Sequence, residues 1–123
     1  MRLLLDTHAL LWWLADEGLN ASAQEAIADP ANLVAVSAAS AWEISIKKAL
    51  GKLTAPDDLE QQVQEGGFVA LPISLAHGVA AGRLPRHHED PFDRMLVTQA
   101  LLEQMPVVSC EAALDRYGIT RLW

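Results

Sequence analysis

Four short apolar runs, spread along the chain, limit what it can fold into. They are Arg2 to Leu5, Leu33 to Val36, Phe68 to Leu71 and Val107 to Ser109. Each is too short for a helix, and segments with helical spacing of apolar residues separate each from the next. Strands that alternate with helices specify a parallel sheet with both faces covered. The expectation is a three-layer α/β/α domain around a central, mostly parallel sheet of four to five strands. With 123 residues and no repeat, linker or low-complexity tract, one domain over 1–123 is expected.

Local signals place the connecting helices. Thr7 can cap a helix over His8 to Asp16, which Gly18 stops. Ser22 and Glu25 form a capping-box pattern for a second helix, ended by Pro30. A third spans Ser37 to Leu50, where Trp42, Ile46, Ala49 and Leu50 repeat at helical spacing and Gly51 supplies the stop. Pro56 opens a fourth at its N1 position, running to Glu65, and Ser74 caps a fifth up to Gly82. A sixth runs from Phe92 to Glu103, with Met95, Leu96, Ala100 and Leu101 on one side. Glu111 to Tyr117 reads as a short helical turn and Ile119 to Trp123 as a final edge strand.

The charge balance narrows the partners. Nine Lys and Arg stand against sixteen Asp and Glu, for a net charge of −7. Nucleic acid is normally held by basic side chains that release counterions. A nucleic-acid partner would therefore need bound cations or a local basic patch here. Lys47, Lys48 and Lys52 form one such patch, and Arg83, Arg86 and Arg94 a second. A basic protein partner would also suit the acidic surface. The lone Cys110 excludes an internal disulfide and fits a reducing compartment. Asp6 and His8 interrupt the apolar start, no cleavage-site pattern follows, and no run approaches the roughly 18 apolar residues of a membrane span. The reading is a soluble cytoplasmic protein.

Acids stand where apolar elements begin. Asp6 is wedged between Leu3-Leu4-Leu5 and an apolar helix, where an unpaired carboxylate is costly and a bound cation would offset that cost. A favourable charge at a helix N-terminus accounts for an acid near a helix start, but not for its wedged position. Glu43 belongs to a Ser40-x-x-Glu43 capping-box pattern, unless the helix begins earlier at Ser37 and frees it for another role. His87 to Arg94 packs two histidines, three carboxylates and an arginine into eight residues. Asp90, before Pro91, is a natural N-cap, which puts Asp93 at N3 facing the sheet edge. Glu111 follows the fourth run by two residues, at the sheet edge that Asp6 also occupies. Should Asp6, Glu43, Asp93 and Glu111 meet, they could not stay ionised together without cations. Oxygen-only ligands favour Mg²⁺ or Mn²⁺. One or two such ions, about 3.5–4 Å apart if paired, would polarise a phosphate and activate water. Zinc is disfavoured, because His87 and His88 have no further histidine at zinc-like spacing and Cys110 stands alone. His8 and His77 read as satisfied polar groups near the core.

Four segments resemble one family. LLDTHALLWWL, SAASAWEISIKKALGKL, LPRHHEDPFDRMLVTQAL and VVSCEAALDRYGITRLW are similar, in order and spacing, to PIN-domain toxins of the VapC type. The resemblance covers nearly the whole chain. It implies a PIN-like fold and an Mg²⁺-dependent endoribonuclease, the toxin of a type II toxin–antitoxin pair. It also implies a VapB-like antitoxin partner and a homodimer. The family's acids map onto Asp6, Glu43 and Asp93, and the fourth onto Glu111, with Asp115 a rival and Asp90 able to act through water. Two other functions stay open: a DNA-directed nuclease using the same site, and a non-catalytic acidic module anchored to a basic protein through Trp12 or Trp123.

Overall fold

The computed structural model describes residues 1–123. Five strands, β1 (Arg2–Leu5), β2 (Leu33–Ser37), β3 (Val69–Leu71), β4 (Val107–Val108) and β5 (Arg121–Leu122), form one sheet in the order β3-β2-β1-β4-β5. Every pairing is parallel. The helices are α1 (Thr7–Ala15), α2 (Ala21–Ala28), α3 (Ala38–Ala49), α4 (Leu59–Glu65), α5 (Leu75–Arg83) and α6 (Pro91–Glu103), with a 3-10 turn over Ala112–Tyr117. No helix is long and apolar enough to cross a membrane.

Strand alternation sorts the core into two layers. Leu3, Leu5, Val34, Val36 and Val108 face one side, where they pack with Ala9 and Leu10 of α1, Ile27 of α2, Ile44 of α3 and Val63 of α4. Leu4, Ala35 and Val107 face the other, against Leu96 and Ala100 of α6. Both faces of β1 are therefore covered, which is why Leu3, Leu4 and Leu5 are all fully buried. The chain runs outward from β1 through β2 to β3, then returns to place β4 on the other flank of β1. That reversal leaves a crevice beyond the carboxyl ends of β1 and β4, the usual ligand position in open parallel sheets.

Several local expectations need correction. Asp6, not Thr7, caps α1, because its Oδ1 reaches the Ala9 N–H at 2.7 Å. Asn20 caps α2 in place of Ser22, accepting from Ala23 N at 2.8 Å. The fourth helix starts at Leu59 rather than Pro56, and Asp58 precedes it without a side-chain cap. In α3 the buried face is Ala39, Ser40, Glu43 and Ile44, whereas Trp42 and Leu50 are each 62% exposed. Leu101 of α6 is also exposed, and the buried stretch is Leu96 to Ala100. Periodicity located these helices and found Leu96 and Ala100 of α6, but in α3 it mistook which stripe faces the sheet.

Candidate active site

Asp6 leaves the carboxyl end of β1 buried, at 5% exposure, while capping α1. Burial pushes its carboxyl above the ordinary value, opposed by the Ser109 hydroxyl, the Ala9 N–H and His8; the nearby Glu43 carboxylate raises it further. Ser109 sits at the end of the neighbouring β4 and is itself fully buried. Its Oγ accepts from Glu111 N at 3.0 Å, so it supports the Asp6 side and shapes the turn after β4 together.

Glu43 is 4% exposed, on the face of α3 turned to the sheet edge. It does not pair with Ser40 in a capping box. Ser37 caps α3 by accepting from Ala39 N at 3.0 Å, which puts Glu43 in the second turn, where no cap is needed. Instead the Thr7 hydroxyl donates to Glu43 Oε1 at 2.7 Å, with Ser40 Oγ 3.1 Å from the same hydroxyl. The other carboxylate oxygen, Oε2, lies 2.5 Å from Lys47 Nζ one turn further on. The Lys47 ammonium is held above its ordinary pKa mainly by that bond, with smaller contributions from the charges of Asp90 and Asp93.

Asp90 caps α6, its Oδ1 accepting from Phe92 N at 2.9 Å and Asp93 N at 3.0 Å. Asp93 is thereby set in the first turn, half-buried, with Oδ2 2.7 Å from His88 Nε2. Its carboxyl is also pushed up, first by burial and then by Asp90 and Glu43, against the pull of His88. For both aspartates burial is the main cause, and the charge of Glu43 is the least of those that act.

The remaining predicted positions divide. Glu111 is exposed at the β4 end of the edge and caps the 3-10 turn by accepting from Ala113 N at 3.4 Å. Asp115 is taken up by Arg121, Nε to Oδ1 at 2.8 Å. Arg94 is no surface cation. It turns inward and donates to the carbonyls of Ala81, Leu84, Pro85 and His88 at 3.1–3.2 Å. Lys48 is paired with Asp57, which leaves Lys52, Arg83 and Arg86 as exposed cations of the two patches. His77 is buried and satisfied, bonded to Ser74, Gln99 and Glu103. Trp12 and Trp123 pack edge-to-face 4.9 Å apart and are part-buried; the most exposed tryptophan is Trp42, against Phe92 at 5.4 Å.

Sequence reasoning missed how Thr7, Lys47, His88 and Ser109 support the acids. For Lys47 the signal was present: Glu43 to Lys47 is the favourable i, i+4 order on a helix. For Thr7 and Ser109 no local signal existed, because their partners lie on other elements.

The donors fit a hard divalent ion by chemistry, being carboxylate oxygens around a position that already accommodates the positive charge of Lys47. Asp6, Glu43 and Asp93 would hold it. In the present side-chain arrangement no three His, Cys, Asp or Glu groups are spaced to grip one ion. Glu43 and Asp93 are engaged by Lys47 and His88 instead.

Solved structures share the fold. VapBC2 from Rickettsia felis bound to a promoter DNA fragment aligns at a TM-score of 0.73 and 13% identity, over 99% of this chain and 98% of that one. FitAcB from Neisseria gonorrhoeae aligns at 0.59 and 13%, over 98% and 96%. FitAB bound to an IR36 DNA fragment aligns at 0.61 and 14%, over 98% and 93%. No curated protein sequence matches the chain. The PIN domain family model, however, matches residues 3–119. On that match, the chain belongs to the PIN domain family.

Proposed function

We propose that this chain is an Mg²⁺-dependent endoribonuclease, with Mn²⁺ as a substitute ion, and the toxin of a VapBC-type toxin–antitoxin pair. Two contacts support the reading: Thr7, the residue after Asp6, bonds the buried Glu43 at 2.7 Å, and Trp42 beside Glu43 packs on Phe92 beside Asp93 at 5.4 Å. Asp6 and Asp93 are the principal ligands, and Glu43 and Glu111 complete the set directly or by holding water. The bound ion supplies activation of water and positive charge for the departing oxygen of a phosphodiester.

The chain's own residues prepare that position. The Asp90 cap sets the orientation of Asp93. Thr7, itself 3.1 Å from Ser40 Oγ, holds Glu43 against rotation from the α1 side. Beside the acids lies a cleft of about 440 Å³ lined by Trp42, Phe92, Met95, Arg86 and His88. An exposed indole edge-on to Phe92 offers a stacking face for an unpaired base, and Arg86 offers a phosphate contact. RNA as substrate follows the resemblance of the four motifs to VapC-type toxins. A VapB-like antitoxin partner follows that resemblance too, and agrees with the VapBC2 and FitAB complexes among the similar folds. Homodimerisation and a cytoplasmic location belong to the same reading.

The test is cleavage of a mixed RNA pool, with a single-stranded DNA arm, by wild type, Asp6→Asn and Asp93→Asn in Mg²⁺ and in EDTA. Loss of RNA cleavage in both variants and in EDTA is expected, by two or more orders of magnitude, about 3 kcal/mol of barrier. Equal wild-type cleavage in EDTA removes the metal mechanism. Cleavage of the DNA arm alone converts the reading to a DNA-directed nuclease.

A further inference from the structure

We propose that Lys47 is a built-in counter-cation of the carboxylate pocket, which a divalent ion has to displace, so that Lys47 sets the protein's metal affinity. The inference rests on the metal-dependent reading above. Glu43 is buried with both oxygens engaged, Oε1 by the Thr7 hydroxyl and Oε2 by the Lys47 ammonium at 2.5 Å. The two partners differ in what they permit. Thr7 is neutral and leaves the carboxylate its charge. Lys47 occupies the outward oxygen with a full positive charge at 2.5 Å. A divalent ion sharing these acids would meet a like charge a few ångströms away, a costly arrangement in a partly buried site.

Lys47 is also built to leave. Its side chain is 38% exposed, against 5% for Glu43, and its four-carbon stem is flexible, so the ammonium has a path to water. Without it, Glu43 would be a buried carboxylate beside two others, and the apo-protein would lose its counter-charge. The neighbouring Lys48 provides a natural contrast: it has the same charge but points to the exposed Asp57, away from the acids.

The opposite role, in which Lys47 holds Glu43 in its ligand orientation, predicts the opposite sign. Calorimetric titration of Mn²⁺ into the full chain separates them, using wild type, Lys47→Met, Lys47→Arg and Lys48→Met. Displacement predicts a Kd about tenfold lower for Lys47→Met, near wild type for Lys47→Arg, and within about twofold of wild type for Lys48→Met. It also predicts that Lys47→Met unfolds at lower urea than wild type in EDTA and gains more from Mn²⁺. Lys47→Gln, which keeps a donor for Glu43 without the charge, carries the same prediction if Lys47→Met does not fold. An unchanged or raised Kd in the folded neutral variant overturns the proposal alone. Absence of Mn²⁺ binding in wild type and variants overturns it together with the metal-dependent reading.

Discussion

The Thr7 hydroxyl, at the first residue of α1, donates to Glu43 Oε1 across 2.7 Å and ties the end of β1 to the second turn of α3. Thr7 is 4% exposed and Glu43 equally so. Thr7→Val preserves shape but leaves a buried carboxylate oxygen without its donor, at a cost of about 1–3 kcal/mol. Urea unfolding should show that loss for Thr7→Val, and Thr7→Ser should recover most of it. If Thr7→Val is as stable as wild type, the bond does not support the site.

Asp6 gives the protein a pH signature in the presence of EDTA. Burial raises its folded-state pKa above the ordinary 3.8, so the native state holds this proton more tightly than the unfolded chain. The resulting penalty is absent below that ordinary value, grows as pH rises through the raised folded value, and is complete above it. Asp6→Asn keeps the α1 cap, since asparagine caps as well as aspartate, but removes the titration. Its urea midpoint should therefore gain on wild type as pH rises from about 4 to neutrality. A difference independent of pH would show that burial does not destabilise the Asp6 carboxylate.

Arg94 should behave as a structural clamp rather than a phosphate contact. Its guanidinium binds four carbonyls from Ala81 to His88, with the Tyr117 hydroxyl at 3.4 Å. Tyr117 in turn donates to Pro85 O at 3.0 Å. Arg94→Lys cannot reproduce the planar fork. It should cost about 2–3 kcal/mol and raise amide exchange over residues 84–90. Unaltered exchange there would assign Arg94 to the surface after all.

Asp16, in the left-handed region, closes α1; two residues on, Gly18 has φ +87°, and a Cβ there would lie 2.9 Å from the Trp12 ring. Trp12 cannot easily yield, because it also packs on Trp123. Gly18→Ala should cost more than the 1–2 kcal/mol of the backbone conformation alone, roughly 2–3 kcal/mol in all, with a lower melting temperature and altered near-UV circular dichroism. A variant with wild-type melting would mean that the Trp12–Trp123 pair repacks freely.

The parallel α/β architecture was legible in the sequence because it depends on local properties. Continuous apolar runs mark strands covered on both faces, and Asp90-Pro91 marks a helix start whatever surrounds it. The capping role of Asp90 and the position of Asp93 one turn in both follow from that dipeptide. Strand order was not legible. It places β4 beside β1, which depends on packing between residues about a hundred positions apart. For the same reason the stripe of α3 facing the sheet was misjudged, since Trp42 and Ile44 are both apolar and only the neighbouring elements decide which is buried. The acids show the division most clearly. The sequence by itself determined that Asp6 and Glu43 stand among apolar residues and that Asp93 follows a cap. Tertiary structure alone decided that Thr7 bonds Glu43, that the Ser109 hydroxyl reaches Asp6, and that Asp115 is taken up by Arg121 while Glu111 caps the 3-10 turn. Those relationships are set by chain reversals that bring distant side chains within a few ångströms, where hydrogen bonding and desolvation act.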